Sequence, residues 1–305
     1  MTDSPGSSLL AASVESLRRE RRLALLRLAA AIAAILVPIR ACVLWKDTGE
    51  GSSGWAAGAS APWVVLALFL VCWGAGSRFL VLPAIGSVVD RRDRLRRDVF
   101  LPLVVEAFPG ARFEPDGRFD RDLYASAGLF AAPDPDMWVD DGLFSAEPSG
   151  RRLVAGELWL RKTHGRDTYL CFRGFFCAFT LKNPVRGRVV FDPLEAPFPT
   201  NGPREGLVDV PTGDPELDRR YRIRASGPEP VRELLTPSLR AALVAAHDRP
   251  GAPCAVAFVG DRGFVAEQSG RPLLDDNVLS DWDNARVDAC RITLGAISAL
   301  VAAAP

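Results

Sequence analysis

Apolar positions run along this chain in three rhythms, and each predicts a different kind of element. The first is nearly unbroken. Residues 23–45 read LALLRLAAAIAAILVPIRACVLW, which at about 1.5 Å per residue makes a helix of roughly 34 Å, enough to cross a bilayer core. Arg27 and Arg40 lie near its ends, where long side chains reach the interface, and residues 28–39 between them carry no charge. A second apolar run, 63–86, carries a single charge, Arg78. Two transmembrane helices are predicted, joined by a short loop, 46–62, rich in Gly and Ser and bordered by Trp45 and Trp63.

The second rhythm is helical and amphipathic. Over 87–108, Leu95, Val99, Phe100, Leu103, Val104 and Phe108 recur opposite Arg91, Arg92, Arg94, Arg96 and Arg97, with Pro102 as a bend. This predicts a juxtamembrane helix whose five arginines face anionic lipid headgroups. Further on, Thr236 followed by Pro237 predicts a capped helix bearing Leu239, Leu243 and Val244, with His247 as a solvated residue of its last turn. Ser280, Asp281 and Asp283 predict the start of a final helix whose uncharged tail after Arg291 is too short to span a membrane and should pack on a sheet.

The third rhythm is the two-residue alternation of strands. RFEPDGRF reads as two extended pieces about an Asp116-Gly117 turn, followed by a brief helix. RLVAGELWLR, DTYLCFRGFFCAFTL and GRVVF, with turns at KTHGRD and KNPVRG, predict an antiparallel meander, and APCAVAFVGDRGFVAEQ predicts a hairpin about Gly260 to Gly263. On the middle strand both faces are apolar, so it should be central and covered on both sides, with Gly174 a bulge or close-approach point. A five-residue loop, Thr163 to Asp167, would set Glu157 across from Arg173 as a structural ion pair, the alternative being a ligand-binding pair. In DRRYRIRAS, Arg220, Arg222 and Arg224 should form a solvated basic face.

The predicted fold class is therefore α+β: a two-helix transmembrane hairpin followed by a cytoplasmic domain with a mainly antiparallel sheet and packing helices. Its parts are a basic N-terminal segment 1–22, helix 23–45, loop 46–62, helix 63–86, juxtamembrane helix 87–108 and domain 109–305. Charge supplies the orientation. The 37 basic and 37 acidic residues cancel, but residues 1–99 hold 13 basic against 8 acidic, and 100–305 hold 24 against 29. Arginines 18, 19, 21 and 22 and those at 91–97 flank the two spans on one side, while the loop has one Lys and two acids. The positive-inside rule puts both termini in the cytoplasm, in an inner or plasma membrane. A cleaved signal peptide would want a small-x-small site before the loop, and a buried hairpin would not need the flanking arginines.

Reaction chemistry is sparse. The chain has no GxxxxGK[ST], HExxH, GxSxG or CxxC, and nothing links His164 or His247 to a nucleophile. Asp134, Asp136, Asp140 and Asp141 crowd one stretch, but Trp138 and Val139 occupy positions where a calcium loop needs a ligand and a glycine. No metal or cofactor is expected, and the balanced charge argues against a nucleic-acid partner. Cys42 and Cys72 belong to the spans; Cys171, Cys177, Cys254 and Cys290 read as free thiols.

The order of two spans, basic helix, SAGLF near Ser126, the Glu157 strand, FRGFF at Phe172 to Phe176 and YRIRASGPEPVRELLTPSLRAAL resembles a family of bacterial proteins known only as domain-of-unknown-function family 3137. The resemblance implies a membrane-anchored cytoplasmic α+β domain and supplies no activity. The functional expectation is a noncatalytic, membrane-tethered binding or scaffolding domain that meets anionic lipids and a protein partner or a second copy. The alternative is a membrane-anchored enzyme using carboxylates such as Glu157 or the Asp134 to Asp141 loop. A channel is disfavoured because the spans offer no polar lining stripe.

Overall fold

The computed structural model describes residues 94–114, 117–130, 143–164, 167–195, 206–251, 253–268 and 283–305, with isolated helical positions between 15 and 40. The chain divides into two compact units, 1–99 with 276–282 and 100–275 with 283–305. In the first, Leu23, Leu26, Ile32 and Leu36 are helical and exposed. Leu25, Ala29, Ala30, Ala33 and Arg40 are helical as well, while the other residues of the predicted first span, the loop 46–62 and the second span lie outside the described residues, as do Arg91 and Arg92. Among the described residues no helix is long and apolar enough to cross a membrane.

The second unit is α+β, as its patterning predicts. In chain order its elements are α1 (Leu101–Ala107), β1 (Arg112–Glu114), α2 (Arg121–Ala127), β2 (Leu143–Ala146), β3 (Leu153–His164), β4 (Asp167–Pro193), β5 (Val208–Asp209), α3 (Pro215–Asp218), β6 (Tyr221–Ala225), α4 (Pro228–Leu234), α5 (Pro237–Asp248), β7 (Cys254–Gln268) and α6 (Asn284–Ala303). Among the described residues these strands form one antiparallel sheet, ordered β1-β2-β3-β4-β6-β5, with β7 also on β4. A π-helical turn, Arg96–Phe100, runs directly into α1, and Pro102, which has no N–H to give the preceding turn, falls where the π-helical turn ends.

β4 is the spine of the sheet, and it overturns two expected reversals. The KNPVRG segment does not turn the chain back: β7 pairs antiparallel with β4 from Gly174–Gln268 to Phe191–Val256, with shifts of register between Thr180 and Arg188. The extra residues of β4 are taken up there as an irregular bulge, helped by Gly187 at φ +81°. β7 is likewise one strand. Gly260, at φ +58°, accommodates the same irregularity, and Gly263 lets the Phe179 ring lie where a Cβ would sit 2.3 Å away. Of the two extended pieces expected about Asp116-Gly117, the first is β1, whose partner is β2 with Phe113 opposite Phe144, and residues 117–120 form no strand.

The central strand is covered on both sides, as its apolar faces require. Phe172, Phe176 and Ala178 join Leu158, Leu160, Phe264 and Ala266 under α2 and the segment after it, where Phe119, Tyr124, Leu129 and Phe130 complete one core. The Phe130 and Phe172 rings lie 4.5 Å apart. On the opposite face Phe175, Cys177, Phe179, Val189, Phe191 and Phe258 are buried. There α5 and α6 supply Leu239, Leu243, Leu294, Ile297 and Leu300.

Gly174 is the close-approach point. A Cβ there would come within 1.8 Å of the Glu267 carbonyl oxygen. The caps follow the sequence: the Leu239 N–H donates to Thr236 Oγ1 at 3.2 Å with Pro237 at the first helical position, and the Arg286 N–H donates to Asp283 Oδ1 at 2.8 Å. At the far end of α6 the guanidinium of buried Arg151 donates to the Val301 and Ala304 carbonyls, each at 2.7 Å. A cation at a helix C-terminus satisfies orphan carbonyls and the dipole together. The last helix thus packs on the sheet, as expected.

Candidate functional site

Two charged regions lie on the α5/α6 face of the sheet, one sealed and one open. The sealed one is set by register. The β3–β4 ladder closes with His164 opposite Asp167, tighter than the expected five-residue loop, and shifts by one residue between Leu160 and Arg161. Trp159, not Glu157, therefore stands opposite Arg173, and the guanidinium carbon lies 3.8 Å from the indole centroid, a cation–π contact. Glu157 stands opposite Phe175, and so, from the other side, does Glu267 of β7. Opposed residues of antiparallel strands share a face, so the two carboxylates flank Phe175 beneath α6. They are 6% and 4% exposed.

Arg249, just past the end of α5, reaches into this layer. Its Nη2 is 2.9 Å from Glu267 Oε2, its Nη1 donates to Thr293 Oγ1 at 2.9 Å, and Nη2 also donates to Cys254 Sγ at 3.3 Å. Burial pushes the Glu267 carboxyl above its usual range, with the Arg249 charge opposing the shift. Burial pushes the Cys254 thiol up to about 11 and the Cys290 thiol to about 12. Neither is a thiolate near neutral pH, so neither is poised as a nucleophile. Cys171 is half-buried, and none of the four described cysteines is in a disulfide.

The open region is a cavity of about 620 Å³ at the same end of α5, lined by Glu195, Arg219, Arg220, His247, Asp248 and Arg249, with Gly251 and Pro253. That volume is in the range of small-molecule sites. Its walls are braced from behind. Arg220 Nε donates to Asp248 Oδ1 at 2.7 Å, Nη2 pairs with Oδ2, and Nη1 donates to the Glu216 carbonyl at 2.7 Å. The bonded guanidinium holds the Asp248 carboxyl at about 2. His247 Nδ1 lies 3.2 Å from Asp248 Oδ1, and its ring meets Tyr221 edge-on at 5.3 Å. The Tyr221 hydroxyl donates to the Leu243 carbonyl at 3.0 Å. By contrast, Arg219 and Glu195 are exposed and make no side-chain hydrogen bond or ion pair among the described residues.

These placements revise the basic strand and the histidine. Arg220 and Arg224 are not solvated: their side chains are 11% exposed, paired with Asp248 and Asp192, and Arg222 alone of the three is exposed. The His247 side chain is 9% exposed, so it is a wall of the site and not a surface residue. Of the juxtamembrane arginines, Arg94 and Arg97 are exposed and Arg96 is buried. Among the described residues no group of three or more His, Cys, Asp or Glu could hold a metal; Asp134, Asp136, Asp140 and Asp141 lie outside them. The cavity residues carried one faint signal in the sequence, the doublet Arg219-Arg220 and the run His247-Asp248-Arg249 at two element ends.

Residues 170–303 match the family model described as Protein of unknown function (DUF3137). The match to DUF3137 opens on β4 and closes in α6, so it holds the whole cavity, Glu267, FRGFF and the YRIRAS strand. Glu157, β1 to β3 and the SAGLF segment fall outside it, a narrower reach than the resemblance along nearly the whole chain. No curated protein and no solved structure matches the chain.

Proposed function

We propose that this chain is a noncatalytic binding or scaffolding domain tethered to the cytoplasmic face of an inner or plasma membrane. Its anchor is the hairpin of 23–45 and 63–86, with both termini cytoplasmic and the arginines near 91–97 against anionic headgroups. The observation that carries the noncatalytic reading is the contrast between the two charged regions. The paired carboxylates Glu157 and Glu267 are sealed beneath α6, whereas on the open cavity Arg220, His247 and Asp248 brace one another and the exposed Glu195 has no second acid or histidine bonded to it. A general acid or base must reach the proton it moves; a binding wall needs only fixed donors. For the anchor, Leu23, Leu26, Ile32 and Leu36 are helical with 54%, 66%, 48% and 56% of their surface exposed, as lipid-facing residues are.

Reporter fusions test the tether. A reporter that works only in the cytoplasm should be active when fused after Pro305 and silent within 46–62, and the reverse pattern sinks the orientation. Complementation of a deletion strain tests the noncatalytic reading. Glu157→Gln should complement as well as its unfolding midpoint allows. A variant that keeps its midpoint yet fails to complement would favour the carboxylate enzyme.

A further inference from the structure

We propose that the cavity at the C-terminal end of α5 binds a small zwitterion, its oxyanion held by Arg219 and Arg220 and its ammonium by Glu195. The inference rests on reading the domain as a binding module and names the class of ligand.

The argument starts from which charges on the cavity wall are already satisfied. Asp248 accepts from Arg220 through both oxygens and faces His247 as well, so its charge is spent within the protein. Arg249 is spent on Glu267, Thr293 and Cys254. Arg220 is held by Asp248 through Nε and Nη2 and by the Glu216 carbonyl through Nη1, and a guanidinium with five N–H groups so held still has one N–H on each Nη to offer. That leaves Arg219 and Glu195, one cation and one anion, both exposed on the wall and both unused among the described residues.

Their positions are fixed by the sheet. Pro193 pairs with Tyr221, and the Leu194 N–H donates to the Arg220 carbonyl at 2.9 Å. Glu195 and Arg219 follow just beyond this bond, outside the ladder, and both line the cavity. They are an acid and a base on one cavity wall, yet they make no ion pair with each other among the described residues. A ligand carrying only an anion would meet Arg219 and Arg220 but be repelled by Glu195; one carrying only a cation would meet the reverse. A molecule with both groups satisfies each charge, and adjacent arginines suit a phosphate or carboxylate oxygen pair. A phospholipid amine headgroup and a soluble phosphorylated amine share this chemistry.

The test is calorimetric titration of the full chain in nonionic detergent with O-phosphoethanolamine, inorganic phosphate and ethanolamine. O-phosphoethanolamine should bind more tightly than either fragment. Arg219→Gln should weaken it about tenfold or more, as loss of a charge-assisted pair does. Glu195→Gln should bring it down to the level of phosphate while leaving phosphate no weaker, and Arg222→Gln, an exposed arginine on the same strand outside the cavity, should change nothing. Unfolding midpoints of the variants, expected to equal that of the unaltered chain, separate lost contacts from lost folding. To distinguish the sources, the titration is repeated in nanodiscs of phosphatidylglycerol with and without phosphatidylethanolamine; competition by the lipid marks the headgroup as occupant, and its absence marks a soluble ligand. No binding up to about 10 mM, or binding indifferent to Arg219→Gln, overturns the site. Equal affinity for phosphate and O-phosphoethanolamine, unaltered by Glu195→Gln, overturns the zwitterion. None of these outcomes depends on the topology fusions, so the site and the tether fail separately.

Discussion

The layer beneath α6 and the cavity at the end of α5 share Arg249 and differ in what water can reach. In the layer, Arg249 and Glu267 are nearly solvent-free, with side chains 4% and 5% exposed. On the cavity wall, Arg220 is 11% exposed but its partner Asp248 is 47% exposed. A guanidinium–carboxylate pair therefore does different work in the two places. A buried pair stabilises little in net terms, because desolvation offsets the attraction, yet removing one partner strands the other. A pair that touches water is forgiving, and its role is to hold a side chain in place. The layer constrains the fold, and the cavity wall is free to serve a ligand.

The comparison breaks most visibly at Arg249. Arg249→Met should cost about 3–5 kcal/mol in urea unfolding of the full chain, since Glu267 is left buried without its cation. The cost should also depend on pH. The folded-state carboxyl is raised above its unfolded value, so its contribution is fully present below the unfolded pKa and lost as pH rises through the folded one. Without Arg249 the carboxyl rises further, and the deficit should shrink in acid and grow toward neutrality. A pH-independent deficit would show that Arg249 acts by packing alone. Next in size is Gly174→Ala, whose Cβ would meet the Glu267 carbonyl. Forcing β4 from β7 there should cost about 1–3 kcal/mol, read from the same unfolding curves, and an unaltered midpoint would refute the close approach.

Why the layer was partly legible in the sequence and the cavity was not follows from these residues. Apolar positions on both faces of DTYLCFRGFFCAFTL could only mean a covered central strand, and Thr236-Pro237 could only mean a helix start. The turns were ambiguous for a physical reason. Asn183-Pro184 with Gly187, and Gly260 with Gly263, punctuate a bulge as readily as a reversal, and what decides is whether a partner strand runs past them, which is a long-range fact. One bulge after Leu160 and a tighter hairpin end moved Glu157 off Arg173. The cavity depends on three segments that meet only in the fold, the end of β4, the turn before β6 and the end of α5. Arg219-Arg220 alone looks like any solvated basic pair.

At Asp248 the expected effect on stability is smaller and confined to acid. Arg220 depresses its carboxyl to about 2, so its contribution is present above the unfolded carboxyl pKa and lost as pH falls toward the folded one. Asp248→Asn should lower the unfolding midpoint near neutrality and converge with the unaltered chain at about pH 2. Asp214, held at about 2 by Arg240, titrates in the same window, and because Glu216 meets both Arg240 and Arg220, Asp214→Asn combined with Asp248→Asn should depart from additivity.

The smallest effect is the one that sharpens the contrast. Arg219 and Glu195 have no partner to lose among the described residues, so Arg219→Gln and Glu195→Gln should each leave the unfolding free energy within about 0.5 kcal/mol. Arg220→Gln, one residue away, should not be silent, because it frees Asp248 and with it the bond that faces His247. If Arg219→Gln destabilised the chain as Arg220→Gln does, Arg219 would be part of the brace, and the cavity would belong to the framework of the fold just as the layer behind it does. A silent Arg219 beside a sensitive Arg220 is the pattern of a wall built to hold one unsatisfied cation toward solvent.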